Sequence, residues 1–131
     1  MTGSWTCLRT SIAKPSCLFA IANWSFPILP FHSCAGRLGL ELGEDESVLE
    51  IGTGSGFITA CLASIAKHVV SVELFAELNE AAQFKLNDKG IMNAELHVGD
   101  VMNGWQPEQA HDVVVVTGSV ATIPDAFKGW V

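Results

Sequence analysis

The hydrophobic pattern of the chain becomes regular from residue 36 onward. Four short apolar runs predict strands, at 47–51, 68–73, 93–98 and 111–117. The first is apolar on both faces, which is typical of a buried parallel strand. Apolar side chains at helical spacing predict helices at 57–67 and 75–89, and a further helix begins at 123. Strands that alternate with helices predict an α/β fold, with a parallel sheet flanked by helices on both faces.

The pattern stops early for a sheet of this class. Doubly wound sheets usually continue beyond a fourth strand, to about six in dinucleotide-binding domains. The chain ends at Val131, soon after the last predicted helix begins. We therefore expect the C-terminal strands of the domain to be missing and the strand at 111–117 to form an exposed apolar edge.

Residues 1–36 differ in character from the rest of the chain. They carry two basic residues, Arg9 and Lys14, and no acid, whereas residues 37–131 carry 5 basic and 14 acidic residues. The apolar stretch at 17–31 imitates a secretory leader. The residues that follow it, described below, indicate instead a cofactor that is found in the cytosol. We expect 1–36 to be an atypical segment, non-native or disordered, and 37–131 to be a partial cofactor-binding domain.

Composition excludes several classes of function. The chain has 131 residues, of which 49% are hydrophobic, so it forms one small globular domain. Its net charge of −7 argues against binding to a nucleic-acid backbone. The four cysteines show no C-x-x-C spacing, and neither a metal site nor a Ser/His/Asp nucleophile pattern is visible.

A glycine-rich loop, residues 50–56, joins the first predicted strand to the first helix. Its sequence is Glu50-Ile51-Gly52-Thr53-Gly54-Ser55-Gly56. Glycines there allow a ligand to approach the backbone closely at the carboxyl end of the strand. The spacing differs from the Gly-x-Gly-x-x-Gly of dinucleotide sites, and an acid at Glu50 disfavours phosphates but suits a cationic amino group and a sulfonium. The alternative for Glu50 is a helix-cap or turn partner.

Further candidates lie at the carboxyl ends of the other strands. Glu73, followed by Leu74, is placed to accept hydrogen bonds from two ribose hydroxyls. Asp100, followed by Val101, is placed to accept one from an adenine amine, and Thr117 follows the fourth strand. Taken singly, Glu73 could be a solvated strand end and Asp100 a turn residue. Together with the loop, they favour S-adenosylmethionine as the ligand.

The chain resembles the protein-L-isoaspartate O-methyltransferase family of Rossmann-like class I methyltransferases over about residues 37–130. The stretches that carry the resemblance are Ser47-Val48-Leu49-Glu50-Ile51-Gly52-Thr53-Gly54-Ser55-Gly56-Phe57, Thr59-Ala60-Cys61-Leu62-Ala63, Val70-Ser71-Val72-Glu73, Val98-Gly99-Asp100, Gly104-Trp105, Val115-Val116-Thr117-Gly118-Ser119 and Ile123-Pro124-Asp125-Ala126-Phe127. The resemblance implies methyl transfer from S-adenosylmethionine to isoaspartyl carboxylates of damaged proteins. Gly52, Gly54 and Gly56 would line the cofactor, Glu73 would bind the ribose and Asp100 the adenine. We also expect a cytoplasmic protein that is a monomer if complete, with isoaspartyl proteins or peptides as substrate and no nucleic-acid or membrane partner.

One segment of the family pattern has no counterpart in the sequence. Family members carry a Gly-x-Gly-Gln-Thr-Ile-Ser-x-Pro type of substrate segment before the loop, and nothing in residues 1–36 matches it. No catalytic residue is therefore assigned. The alternatives are a non-catalytic or vestigial cofactor-binding fragment, and another class I methyltransferase that acts on a small molecule.

Overall fold

The computed structural model of the chain describes residues 5–9, 17–21, 42–117 and 124–131. In these ranges six strands form one sheet: β1 Trp5–Arg9, β2 Cys17–Ile21, β3 Ser47–Ile51, β4 His68–Glu73, β5 Ala94–Val98 and β6 Val113–Val116. Three helices accompany them: α1 Phe57–Ala63, α2 Ala76–Asp88 and α3 Asp125–Lys128. None of the described helices is long and apolar enough to cross a membrane.

The strand order in the sheet is β1-β2-β6-β3-β4-β5. The pairs β2–β6, β6–β3, β3–β4 and β4–β5 are parallel, and only β1–β2 is antiparallel among the described pairs. The chain runs from β3 outward to β5 and then returns to β6 on the other side of β3. The order therefore reverses at β3, and in open α/β sheets ligands bind outside the carboxyl ends of the strands at such a reversal.

The predicted alternation of strands and helices is confirmed, with element ends shifted by a few residues. The prediction that the strand at 111–117 is an exposed edge is wrong. The structure narrows this strand to β6, which pairs with β3 on one side and with β2 on the other. All four of its valines are buried, as expected for a strand inside a parallel sheet. The predicted domain boundary at residue 36 lies outside the described residues.

Side chains alternate between the two faces of the sheet along each strand, so an apolar layer lies on each face. Val48 and Val69 face α1, where they pack with Leu62 and its neighbours. Leu49 and Val72 point to the opposite face and pack against Phe127. Helix α1 is nearly all buried, because its small side chains let it approach the sheet closely.

Candidate cofactor-binding site

The glycine-rich loop turns sharply between β3 and α1. The Gly52 N–H donates to the Val72 carbonyl over 2.8 Å, which ties the start of the loop to β4. Gly56 has φ +83°, and a Cβ built on it would lie 3.1 Å from the Ala82 Cβ. Glycine at this position therefore serves both the left-handed backbone and the close packing of α1 against α2.

A cleft of about 350 Å³ lies at the carboxyl ends of β3, β4 and β5. Its lining residues are Ile51, Gly52, Val72, Glu73, Leu74, Phe75, Gly99, Asp100, Val101 and Met102. Five of the residues that the sequence singles out thus meet in one cleft: Gly52, Glu73, Leu74, Asp100 and Val101. The remaining lining residues are four apolar side chains and Gly99, so the charged groups that line the cleft are the two acids, with no lysine or arginine. This chemistry suits an uncharged or cationic nucleoside better than a phosphate.

Glu73 ends β4 at the wall of this cleft. The residue is 8% exposed, and among the described residues its carboxylate accepts no hydrogen bond. Its backbone carbonyl accepts a hydrogen bond from Gly99 over 2.9 Å, which joins the ends of β4 and β5. A nearly buried carboxylate gains from polar donors, so Glu73 is suited to accept hydrogen bonds from a ligand that enters the cleft.

Asp100 is a turn residue in the structure. Its Oδ1 accepts a hydrogen bond from the Met102 N–H over 2.9 Å, and its Oδ2 accepts one from Asn103 Nδ2 over 2.7 Å. The hydrogen bond from Asn103 contributes most and the one from Met102 less, and both lower the pKa of Asp100 below its usual value. Each carboxylate oxygen has a second lone pair, so the ionised side chain can still accept a hydrogen bond from a ligand.

Glu50 does not line the cleft. It is fully buried on the α1 side of the sheet, where Oε1 accepts hydrogen bonds from Thr59 and, over 2.6 Å, from Ser71. Its Oε2 is buried and has no partner among the described residues. Burial raises the pKa of Glu50 from 4.5 to about 7; the two hydrogen bonds offset part of the rise, and repulsion from Glu73 adds to it.

The other predicted residues lie around the cleft rather than in it. Thr53 is buried, with its hydroxyl 2.6 Å from that of Ser71. Thr117 supports the base of the loop, since its hydroxyl shares its one hydrogen between the backbone carbonyls of residues 51 and 52. Ser55 and Gly56 line a separate hollow of about 230 Å³ between α1 and α2. Gly54 lines neither cavity.

Sequence reasoning missed four residues that build the site. Phe75 and Met102 form apolar walls of the cleft, and Ser71 and Thr59 donate to Glu50 from below the loop. A usable signal was present for Ser71, because a hydroxyl within an otherwise valine-rich buried strand requires a partner. Nothing in the sequence distinguished Phe75 or Met102 from other apolar residues.

Residues 31–129 match the protein-L-isoaspartate(D-aspartate) O-methyltransferase family. The chain belongs to this family. It is 42% identical over 99 residues to the protein-L-isoaspartate O-methyltransferase of Brucella anthropi, across 76% of this chain and 46% of that protein. The enzyme of that name from Dictyoglomus turgidum is 43% identical over 89 residues, across 68% of this chain and 40% of its own length.

The fold agrees with the sequence match. A protein-L-isoaspartate O-methyltransferase of known structure superposes with a TM-score of 0.62 at 28% identity, over 76% of this chain and 32% of the other. The chain spans less than half the length of the two curated relatives.

S-adenosylmethionine is the methyl donor of this family. The cleft fits that molecule, because Glu73 is an open acceptor for ribose hydroxyls and the apolar walls can contact an adenine. Among the residues that the structure describes, no group of three or more His, Cys, Asp or Glu is placed to bind a metal ion.

Proposed function

We propose that the chain binds S-adenosylmethionine in the cleft between the glycine-rich loop, Glu73 and Val101. We propose further that it acts as a protein-L-isoaspartate O-methyltransferase on isoaspartyl carboxylates of damaged proteins. The observation that carries the first step is the nearly buried Glu73 carboxylate, which faces the cleft without a partner among the described residues. The family membership supports the second step.

Different residues of the cleft bind different parts of the cofactor. Glu73 accepts the ribose hydroxyls, and Asp100, already ionised and fixed by its own turn, accepts the adenine amine. Val101 and Met102 contact the adenine, and the backbone at Gly52 lies against the rest of the ligand. The bound cofactor supplies a methyl group on a sulfonium. The contribution of this chain is then to position that group and to surround a cation with acidic side chains.

The first test is calorimetric titration of the purified chain with S-adenosylhomocysteine. We expect binding of S-adenosylhomocysteine and none of NAD, since the cleft offers no cation for a pyrophosphate. Glu73→Gln should weaken binding about 10- to 100-fold, because hydrogen bonds to a charged acceptor contribute about 1.5–3 kcal/mol. Glu77→Gln removes an exposed acid of α2 outside the cleft and should leave the affinity unchanged. Equal affinity in wild type and Glu73→Gln would refute the role of Glu73.

The second test is methylation of an isoaspartyl peptide, with the aspartyl peptide of the same sequence as control. Methyl transfer to the isoaspartyl peptide alone supports the proposed activity. A second candidate is a non-catalytic cofactor-binding fragment, because residues 1–36 do not match the family's substrate segment. Binding of S-adenosylhomocysteine without methyl transfer would favour this second candidate.

We propose a cytoplasmic location and a monomeric state. The net charge of −7 disfavours nucleic-acid partners, and the cofactor and damaged proteins are both available in the cytoplasm. Sedimentation analysis measures the oligomeric state, and a gel-shift experiment with RNA tests whether the chain binds nucleic acid. A stable dimer or a shifted band would overturn the corresponding part of this proposal.

A further inference from the structure

Four polar side chains form a buried chain of hydrogen bonds beneath the glycine-rich loop. Thr59 and Ser71 both direct their hydroxyls at Glu50 Oε1, and the Thr53 hydroxyl lies 2.6 Å from the Ser71 oxygen. A hydroxyl has a single hydrogen. Since Ser71 uses its hydrogen on Glu50, Thr53 is the donor to Ser71. The direction of the chain is therefore Thr53 to Ser71 to Glu50, with Thr59 donating from the other side.

Ser71 is the central member, because it joins parts of the fold that are distant in sequence. It lies in β4, opposite Glu50 of β3 in the register of the parallel pair. Through Thr53 it reaches the loop, and through Glu50 it reaches Thr59 of α1. Two residues further along the same strand, and on the same face by the alternation of side chains, lies Glu73.

Removing the Ser71 hydroxyl would leave two buried groups short of a partner. Thr53 is 4% exposed and would lose its acceptor, while Glu50 would retain only the Thr59 donor. Buried polar groups without partners are costly, so Thr53 would turn away to find another acceptor. Thr53 directly follows Gly52, which lines the cleft, and a change at Thr53 therefore moves the backbone that the ligand contacts.

We propose that Ser71 is a positioning residue for the cofactor: its hydroxyl fixes Thr53 against Glu50 and thereby sets the loop backbone at Gly52. Ser71 itself does not line the cleft. This inference rests on the proposed binding of S-adenosylmethionine at the same cleft. It adds a residue whose effect on binding passes through the loop.

The test is calorimetric titration of S-adenosylhomocysteine into wild type, Ser71→Ala and a matched control, Ser47→Ala. Ser47 also carries a hydrogen-bonded hydroxyl, 3.2 Å from Asp112 Oδ2, but at the opposite end of the sheet. We expect Ser71→Ala to bind about tenfold more weakly and Ser47→Ala to bind as wild type does. Thr53→Val should lose a similar factor, and the double variant should bind no more weakly than Ser71→Ala alone, because the Thr53–Ser71 hydrogen bond is already absent from Ser71→Ala.

A pH profile of the affinity distinguishes positioning from a general loss of structure. The Ser71 hydrogen bond lowers the pKa of Glu50, so its removal raises that pKa. Any step in affinity near neutral pH should therefore move to higher pH in Ser71→Ala and stay in place in Ser47→Ala. If Ser71→Ala is unfolded by circular dichroism, Thr53→Val carries the test, because it removes the Thr53–Ser71 hydrogen bond with Ser71 in place, and it should bind about tenfold more weakly than wild type.

The outcomes separate this inference from the proposed function. Wild type that does not bind S-adenosylhomocysteine refutes the cofactor site itself. Wild type that binds, together with Ser71→Ala of equal affinity, refutes the positioning role alone. Equal losses in Ser71→Ala and Ser47→Ala also refute it, because they show that any hydrogen-bonded hydroxyl of the sheet has the same effect.

Discussion

Glu50 makes the stability of the fold depend on pH near neutrality. Its carboxyl is fully buried, and burial raises its pKa from 4.5 to about 7. The unfolded chain therefore releases this proton at lower pH than the folded chain does. The stabilising contribution of the protonated form is complete below pH 4.5 and is lost as the pH rises to about 7. We predict that Glu50→Gln, which cannot ionise, removes this loss.

The expected size follows from the two pKa values. Each pH unit between them corresponds to about 1.4 kcal/mol, so ionisation of Glu50 costs about 3 kcal/mol of folding free energy. The side chain is fully buried, so solvent screening does not reduce this figure much. The free energy of unfolding of Glu50→Gln minus that of wild type should thus rise by about 3 kcal/mol from about pH 4 to about pH 8.

Urea unfolding at a series of pH values measures this difference, with tryptophan fluorescence, to which Trp105 and Trp130 contribute, as the signal. Both tryptophans pack against the sheet, so their emission reports its loss. The comparison of two variants cancels the contributions of all other titrating groups. Glu80→Gln, at an exposed position of α2, controls for the loss of one negative charge. A difference between Glu50→Gln and wild type that is the same at every pH would show that the reasoning is wrong.

Two further predictions concern packing, and urea unfolding at one pH tests both. Gly56→Ala should lower the free energy of unfolding by about 2–3 kcal/mol, since φ is +83° and the new Cβ lies 3.1 Å from that of Ala82. Gly54→Ala, at φ +53° with no described atom within 4 Å of the new Cβ, should lower it by about 1 kcal/mol. Equal losses would contradict the packing argument. Leu62→Ala should lower the free energy of unfolding by about 2–5 kcal/mol, because Leu62 is fully buried. Phe84→Ala should lower it by less than about 0.5 kcal/mol, because the Phe84 side chain is 75% exposed. A comparable loss for Phe84→Ala would show that Phe84 packs against another part of the chain.

The central βαβ units and the position of the cleft could be predicted from the sequence. Apolar periodicity marks β3, β4 and α2, and parallel strands bring their carboxyl ends to one edge, so Glu73 and Asp100 had to meet there. The pairing of β2 with β6 could not be predicted. It joins segments more than 90 residues apart, and no local pattern in 17–21 specifies which strand it will lie beside.

The orientation of Glu50 was also hidden, because β3 is apolar on both faces and its pattern does not show which side carries the helix. The structure settles this by its hydrogen bonds. Thr59 of α1 and Ser71 of β4 donate to Glu50, so its side chain lies on the α1 face, and alternation places Ile51 on the opposite face. The acid of the loop motif in this chain thus contacts the protein beneath the loop, and the open acceptor in the cleft is Glu73. It follows that substitution of Glu50 should alter the pH dependence of stability, whereas substitution of Glu73 should alter the affinity for the ligand.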